Sequence, residues 1–123
     1  MTTQIEREPG AEQVELAVEM LKLLADQTRL RILWALLHGE HSVSNLADHV
    51  GAQPSAVSQH LAKLRMARLV GTRREGTTIF YRLENEHVRQ LVVDAVFNAE
   101  HGGPGVPSHH RGDPAVRRLT ADR

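Results

Sequence analysis

Apolar positions recur with a helical period along most of this chain, break once into alternation, and then return to the helical period. From Glu12 to Ala25, the residues Val14, Leu16, Ala17, Val18, Met20, Leu21, Leu23 and Leu24 give a helix with a broad apolar face. Asp26 can cap a second helix, Gln27 to Leu37, with Leu30, Ile32, Leu33 and Leu36 or Leu37 as its buried stripe and Gly39 as its stop. Ser42 caps a short third helix, Val43 to Val50, which ends at Gly51. Pro54 suits the first turn of a fourth helix, where its missing N–H costs nothing; that helix runs from Ser55 to about Ala67 and buries Val57, Leu61 and Leu64. The period then changes. Leu69 to Arg74 and Thr77 to Leu83 are β-prone and flank Glu75-Gly76, which reads as a hairpin. Glu86 to His101 is helical again, with Val88, Leu91, Val92, Ala95, Val96 and Ala99 on one face. Gly102-Gly103-Pro104-Gly105-Val106-Pro107 cannot continue it.

The expected organisation is a flexible N-terminus over 1–10, one folded domain over 11–101 and a flexible histidine-containing tail over 102–123. Four helices, a hairpin and a fifth helix make a mainly α winged helix-turn-helix with a two-stranded wing, a layout that reads DNA. At 123 residues with 41% hydrophobic content, the core is small enough to gain from dimer formation. Only four residues are aromatic, so Leu, Val, Ile and Ala must build it.

The formal net charge is zero, but its distribution is uneven. Residues 1–26 carry six acids and two bases. Residues 54–82 carry Lys63, Arg65, Arg68, Arg73, Arg74 and Arg82 against Glu75 alone. Gathered basic charge is what a phosphate backbone requires. On the fourth helix, Ser55, Ser58, Gln59 and Lys63 are the residues expected to meet a major groove, Gln59 with the bidentate geometry adenine takes. His60 is expected nearer the backbone or the turn, and Arg73, Arg74 and Thr77 of the wing along phosphate or a minor groove.

The absence of cysteine removes disulfides, thiolate ligands and thiol nucleophiles. Met1–Gly10 is polar and acidic, unlike a secretory leader, and no run of residues has the apolar length of a membrane span. A cytoplasmic protein without membrane contact is expected. No nucleophile–base pair, phosphate loop or carboxylate dyad stands at meaningful spacing, so an enzyme is not expected.

Three segments carry a resemblance. Leu24-Ala25-Asp26-Gln27-Thr28-Arg29-Leu30-Arg31-Ile32-Leu33, Pro54-Ser55-Ala56-Val57-Ser58-Gln59-His60-Leu61-Ala62-Lys63-Leu64 and Gly76-Thr77-Thr78-Ile79-Phe80-Tyr81-Arg82-Leu83 resemble the opening, the recognition helix and the second wing strand of the ArsR/SmtB family of metal-sensing repressors. The resemblance implies a homodimer on an inverted-repeat operator, released by metal, with a metal exporter as the plausible controlled gene.

It also implies where to look for ligands. Ser42 and Ser44 stand where a thiolate site would need cysteines. On the last helix the family's Asp-x-His is here Asn85-Glu86-His87, and its closing His-x-x-His or His-x-x-Glu is Asn98-Ala99-Glu100-His101. The remaining set of His87, Glu100, His101, His109 and His110 resembles that of a nickel- and cobalt-sensing member. Such nitrogen and oxygen donors suit octahedral nickel or cobalt better than tetrahedral zinc. His87 and His101 share a helix face but stand about 21 Å apart along the axis, so two antiparallel copies are needed to bring them together. By the same count Glu100 lies off that face and joins only if the helix end unwinds. The competing expectation is a metal-independent winged-helix regulator that answers to an organic ligand or a protein partner.

Overall fold

A computed structural model describes residues 7–101, the side chain of His101 excepted. Its elements are α1 (Ala11–Leu24), α2 (Gln27–Ala35), a 3-10 turn (Leu36–His38), β1 (His41–Ser42), α3 (Val43–Val50), α4 (Pro54–Met66), β2 (Val70–Glu75), β3 (Thr78–Leu83) and α5 (Glu86–His101). The expected winged helix is present, with three revisions. α2 closes at Ala35 and tightens into the 3-10 turn, which stops where Gly39 takes a φ of 148°. The sheet has three strands, not two, in the order β1-β3-β2 and antiparallel throughout. Two residues are too few to show alternation, and β1 forms because the extended backbone entering α3 lies beside β3, with His41 opposite Tyr81 and Ser42 opposite Phe80.

The hairpin closes one residue later than expected. Glu75 pairs with Thr78, which leaves Gly76 and Thr77 as the loop. Gly76 has a φ of 63° and Thr77 stays negative, which puts glycine at the first central position, as type II′ hairpins prefer.

The core is aliphatic, as the composition required. Ile32, Leu33, Leu36, Leu46, Val57, Leu61, Leu64, Leu69, Val70 and Val92 are almost wholly buried, and no buried polar or charged residue occurs among the described residues. The buried positions of α4 agree with the periodic reading. α2 buries Ile32 and Leu33 of the expected stripe and Ala35 besides, with Leu30 half-buried. α5 buries Val88 and Val92 but leaves Ala95 and Ala99 exposed, because its far end has no core of this chain beneath it. α1 does not agree: none of its residues is buried, and only Met20, Leu23 and Leu24 pack partly against the core. Its other large apolar side chains face outward, with Leu16 65% and Leu21 55% exposed.

Side-chain caps order the helix starts. Asp26 Oδ1 accepts from the Arg29 N–H at 2.9 Å, and Ser42 Oγ accepts from the Asn45 N–H at 3.3 Å. The Arg29 N–H, foremost, holds the Asp26 carboxyl below its ordinary 3.8; burial opposes it, and the charges of Arg29 and His60 add to the lowering. α4 ends differently. Arg68 N–H bonds to Arg65 O and Leu69 N–H bonds to Leu64 O, both at 2.9 Å, while Arg68 takes a left-handed φ of 61°. This is a Schellman end, with the accompanying apolar contact supplied by Leu64 and Leu69.

Two predictions follow from these ends. Arg68 is exposed and sits where glycine is preferred, so Arg68→Gly should raise stability by about 0.5–1 kcal/mol in urea unfolding; an unchanged or lower midpoint would contradict strain at this residue. Asp26→Ala should cost about 1 kcal/mol at neutral pH, and Asp26→Asn should cost little because an amide caps as well. The ionised Asp26 cap is fully formed above the unfolded carboxylate pKa near 3.8 and is lost as pH falls through the lower folded value. The gap between wild type and Asp26→Ala should therefore narrow only in strong acid.

Candidate nucleic-acid interface and C-terminal helix

The reading head is built by α3, a three-residue turn and α4. Gly51 ends α3 in the left-handed region at φ 70°, with its N–H on Ala47 O at 2.9 Å. Pro54 then opens α4 after Gln53, whose carbonyl receives the Val57 N–H at 3.0 Å. Val57, Leu61 and Leu64 are fully buried and fix the rotation of the helix. As a result Ser55, Ser58, Gln59, Ala62 and Lys63 all face solvent together.

His60 does not share that face. It is half-buried, and its Nδ1 lies 3.2 Å from Arg29 Nη1 at the start of α2. One residue of rotation, about 100°, separates it from Gln59, and sequence alone does not show what it meets there.

Strand alternation divides the wing arginines. Arg74 lies opposite Ile79, on the face that also carries Thr72 and Tyr81; Tyr81 packs partly against the core. Arg73 lies opposite Phe80 on the other face, its guanidinium 4.8 Å from that ring. It also donates from Nε to Glu40 Oε1 at 2.8 Å and lies 3.7 Å from Glu75. The Glu40 bond, then the charges of Glu40 and Glu75, raise the Arg73 pKa above its ordinary value. Arg73 is thus already compensated, whereas Arg74 is exposed and has no such ion pair among the described residues. Thr77 is exposed at the tip.

Between α4 and β3, a cleft lined by Ser58, Ala62, Arg65, Met66 and Tyr81 runs beside the exposed helix face. Arg65, already one of the gathered basic residues, and Tyr81 thus border the expected reading face. Arg65 was legible as the next step, three or four residues on, from Ser58 and Ala62; Tyr81 comes from a distant strand, and only the fold brings it there.

α5 is uninterrupted from Glu86 to His101, so it has not unwound at Glu100 as the expected ligand set would require. Asn85 caps its start, accepting the Val88 N–H on Oδ1 at 3.0 Å, so its amide serves the helix. His87 is exposed in the first turn and Glu100 is half-buried near the far end. His109 and His110 lie outside the described residues. Among the described residues no three His, Asp or Glu side chains are close enough to hold a metal ion.

The sequence pattern that defines the bacterial regulatory protein, arsR family, is matched over residues 26–72. The transcriptional regulator KmtR of Mycobacterium tuberculosis strain H37Rv is 69% identical over 100 residues, covering 81% of this chain and 77% of KmtR. This chain belongs to the ArsR family. The solved homodimeric winged helix-turn-helix DNA-binding domain of a possible ArsR-family regulator from Mycobacterium bovis superposes with a TM-score of 0.66 at 34% identity, over 72% of this chain and 84% of that one. The antimony-specific repressor AntR gives a TM-score of 0.69 at 32% identity, over 79% and 89%. ArsR-family proteins are transcription regulators rather than enzymes, so the helix-turn-helix and wing are a DNA-reading unit. No helix among the described residues is long and apolar enough to cross a membrane.

The split between the wing arginines is testable. Arg74→Ala should weaken binding to all duplexes alike and lower the slope of log affinity against log salt by about one. Arg73→Ala should leave that slope nearly unchanged, because Glu40 already compensates its charge. Anisotropy titrations at several salt concentrations decide it; equal slopes for the two variants would refute the assignment.

Proposed function

We propose that this protein is a dimeric metal-responsive repressor that holds an inverted-repeat operator and releases it when nickel or cobalt binds. The observation that carries the reading is α5 itself: one unbroken helix with an exposed histidine in its first turn and a glutamate and histidine at its other end. The KmtR, AntR and Mycobacterium bovis relatives support regulation, metal response and dimerisation respectively.

The donors fit the class of ion. His87, Glu100, His101, His109 and His110 offer imidazole nitrogen and carboxylate oxygen and no thiolate, which favours nickel or cobalt over the softer metals. The ends of α5 are about 21 Å apart at 1.5 Å per residue, so one chain cannot close a site from His87 and His101. A second chain running the opposite way supplies the complementary end. α1 supports such pairing, because Val14, Leu16, Val18 and Leu21 are 42–65% exposed and Phe97 of α5 is 58% exposed. An apolar surface of this extent on a small domain calls for a partner. A bound ion would supply a cross-link between the two α5 ends. The residues of the chain do the rest: they hold the reading heads at the spacing of successive major grooves, about 34–36 Å, in one dimer geometry and not in the other.

The rival reading, a regulator indifferent to metal, has one feature in its favour. A hollow of about 280 Å³ lined by Leu30, Arg31, Trp34, His49, Val50 and Val96 could seat a small organic ligand. Titration separates the two. Saturating nickel or cobalt should lower operator affinity by at least about tenfold, within the usual range of allosteric coupling. Calorimetry of nickel into a His87→Ala, His101→Ala double variant should show most of the heat lost. Operator affinity unchanged at saturating metal would reject the proposal.

A further inference from the structure

Arg29 makes three hydrogen bonds that go to three different elements. Its backbone N–H serves the Asp26 cap at the start of α2, at 2.9 Å. Its Nε donates to the Leu23 carbonyl in the last turn of α1, at 2.7 Å. Its Nη1 lies 3.2 Å from Nδ1 of His60 on α4. A guanidinium can only donate, so Nδ1 is the acceptor and the His60 ring proton sits on Nε2. All three bonds are at least partly buried.

The elements joined are not arbitrary. α1 buries nothing within its own chain and turns its large apolar side chains outward. α4 carries the face that meets DNA. The Leu23 carbonyl is one of the last four of its helix and has no partner within it, so a cation there both satisfies the oxygen and opposes the helix dipole. The Arg29 charge also helps to keep the neighbouring Asp26 cap ionised. One planar fork therefore fixes the partner-facing helix to the middle of the recognition helix. A lysine, with a single nitrogen, cannot span both the Leu23 and His60 contacts.

We infer that Arg29 and His60 are positioning residues for operator binding: the Arg29–His60 bond sets the angle of the recognition helix relative to the dimerisation helix, and His60 acts through this bond rather than by touching DNA. The inference rests on the DNA-reading dimer proposed above. A symmetric dimer engages two half-sites only if both reading heads are held at the right separation and tilt. Loosening the strut should lower affinity for an operator, which needs both heads in register. It should spare binding to arbitrary duplex, which needs only charge.

The test uses the full chain, a duplex selected by the wild-type protein from a random-sequence pool, and a scrambled duplex of equal length. Arg29→Gln and His60→Ala should each lower affinity for the selected duplex by about tenfold, the scale of one partly buried hydrogen bond to a charged group, and leave the scrambled duplex within about twofold. The double variant should be no weaker than either single one, because both remove the same bond. His60→Asn, whose Oδ1 can accept where Nδ1 does, should recover affinity to within about threefold of wild type. Thermal unfolding of each variant identifies any that fail to fold, and the Asn variant then carries the comparison with wild type. His60→Ala binding the selected duplex as wild type does, losses that multiply in the double variant, or equal loss on both duplexes would each overturn the inference. Wild type that prefers no duplex would overturn the DNA reading and this inference together; retained preference in His60→Ala overturns the inference alone.

Discussion

The DNA-facing surface exists because the opposite side of α4 is fixed in an aliphatic core. Val57, Leu61 and Leu64 recur at helical spacing and have no exposed surface. Each contributes about 1.5–3 kcal/mol of burial, so rotating α4 to show a different face would cost more than a small domain can spare. The helix is fixed at both ends as well, by the left-handed Gly51 before it and the Schellman bonds of Arg68 and Leu69 after it. No buried polar group interrupts the packing among the described residues. Polar ties are left to the edge of the core, where Arg29 joins three elements.

Periodicity made most of this legible. The buried set of α4, most of that of α2, the near half of α5, the caps at Asp26 and Ser42, and the hairpin could be read because each is a local property of sequence. What could not be read depends on partners distant in the chain. β1 is two residues long and exists only because β3 lies beside it. The residues Arg73 and Arg74 are adjacent and chemically identical, and only the register with Phe80 and Ile79, together with Glu40 from 33 residues away, separates the compensated one from the open one. His60 looked like a neighbour of Gln59, but Arg29, 31 residues earlier, gives it another task. α1 was the reverse case: its period was correct, and what it could not reveal was that its apolar face points away from its own core.

That outward face links stability to assembly. A domain of this size buries a modest share of its surface, and here one whole helix adds little to the core. Pairing with a second copy would remove the α1 aliphatic side chains from water, so the folded state and the dimer gain from the same contact. The strut through Arg29 gives that contact a consequence at the DNA surface, because whatever shifts α1 also shifts Leu23, the guanidinium and α4 with it. Packed elements move as units rather than bending continuously, and this is what allows a small change at one surface to be felt at another.

Asn85 shows how the proposed sensory end is constrained by the fold. An amide caps a helix as well as a carboxylate does, so α5 loses nothing by carrying Asn85 instead of an acid. The same substitution withdraws a strong anionic donor from beside His87. Any ion held near His87 must then draw its remaining donors from elsewhere, and Glu100 and His101 of the proposed set stand about 20 Å away at the other end of the helix. Donors so far apart converge only across two chains, which makes the proposed metal affinity a property of the dimer and of its geometry. By linkage, a dimer geometry favoured by DNA must then bind the ion less tightly, by the same factor with which the ion weakens DNA. A continuous α5 sharpens that relation, because an ion shared by His87 of one chain and His101 of the other passes its demand to the relative placement of the two subunits, while Glu100 joins only if the helix end opens.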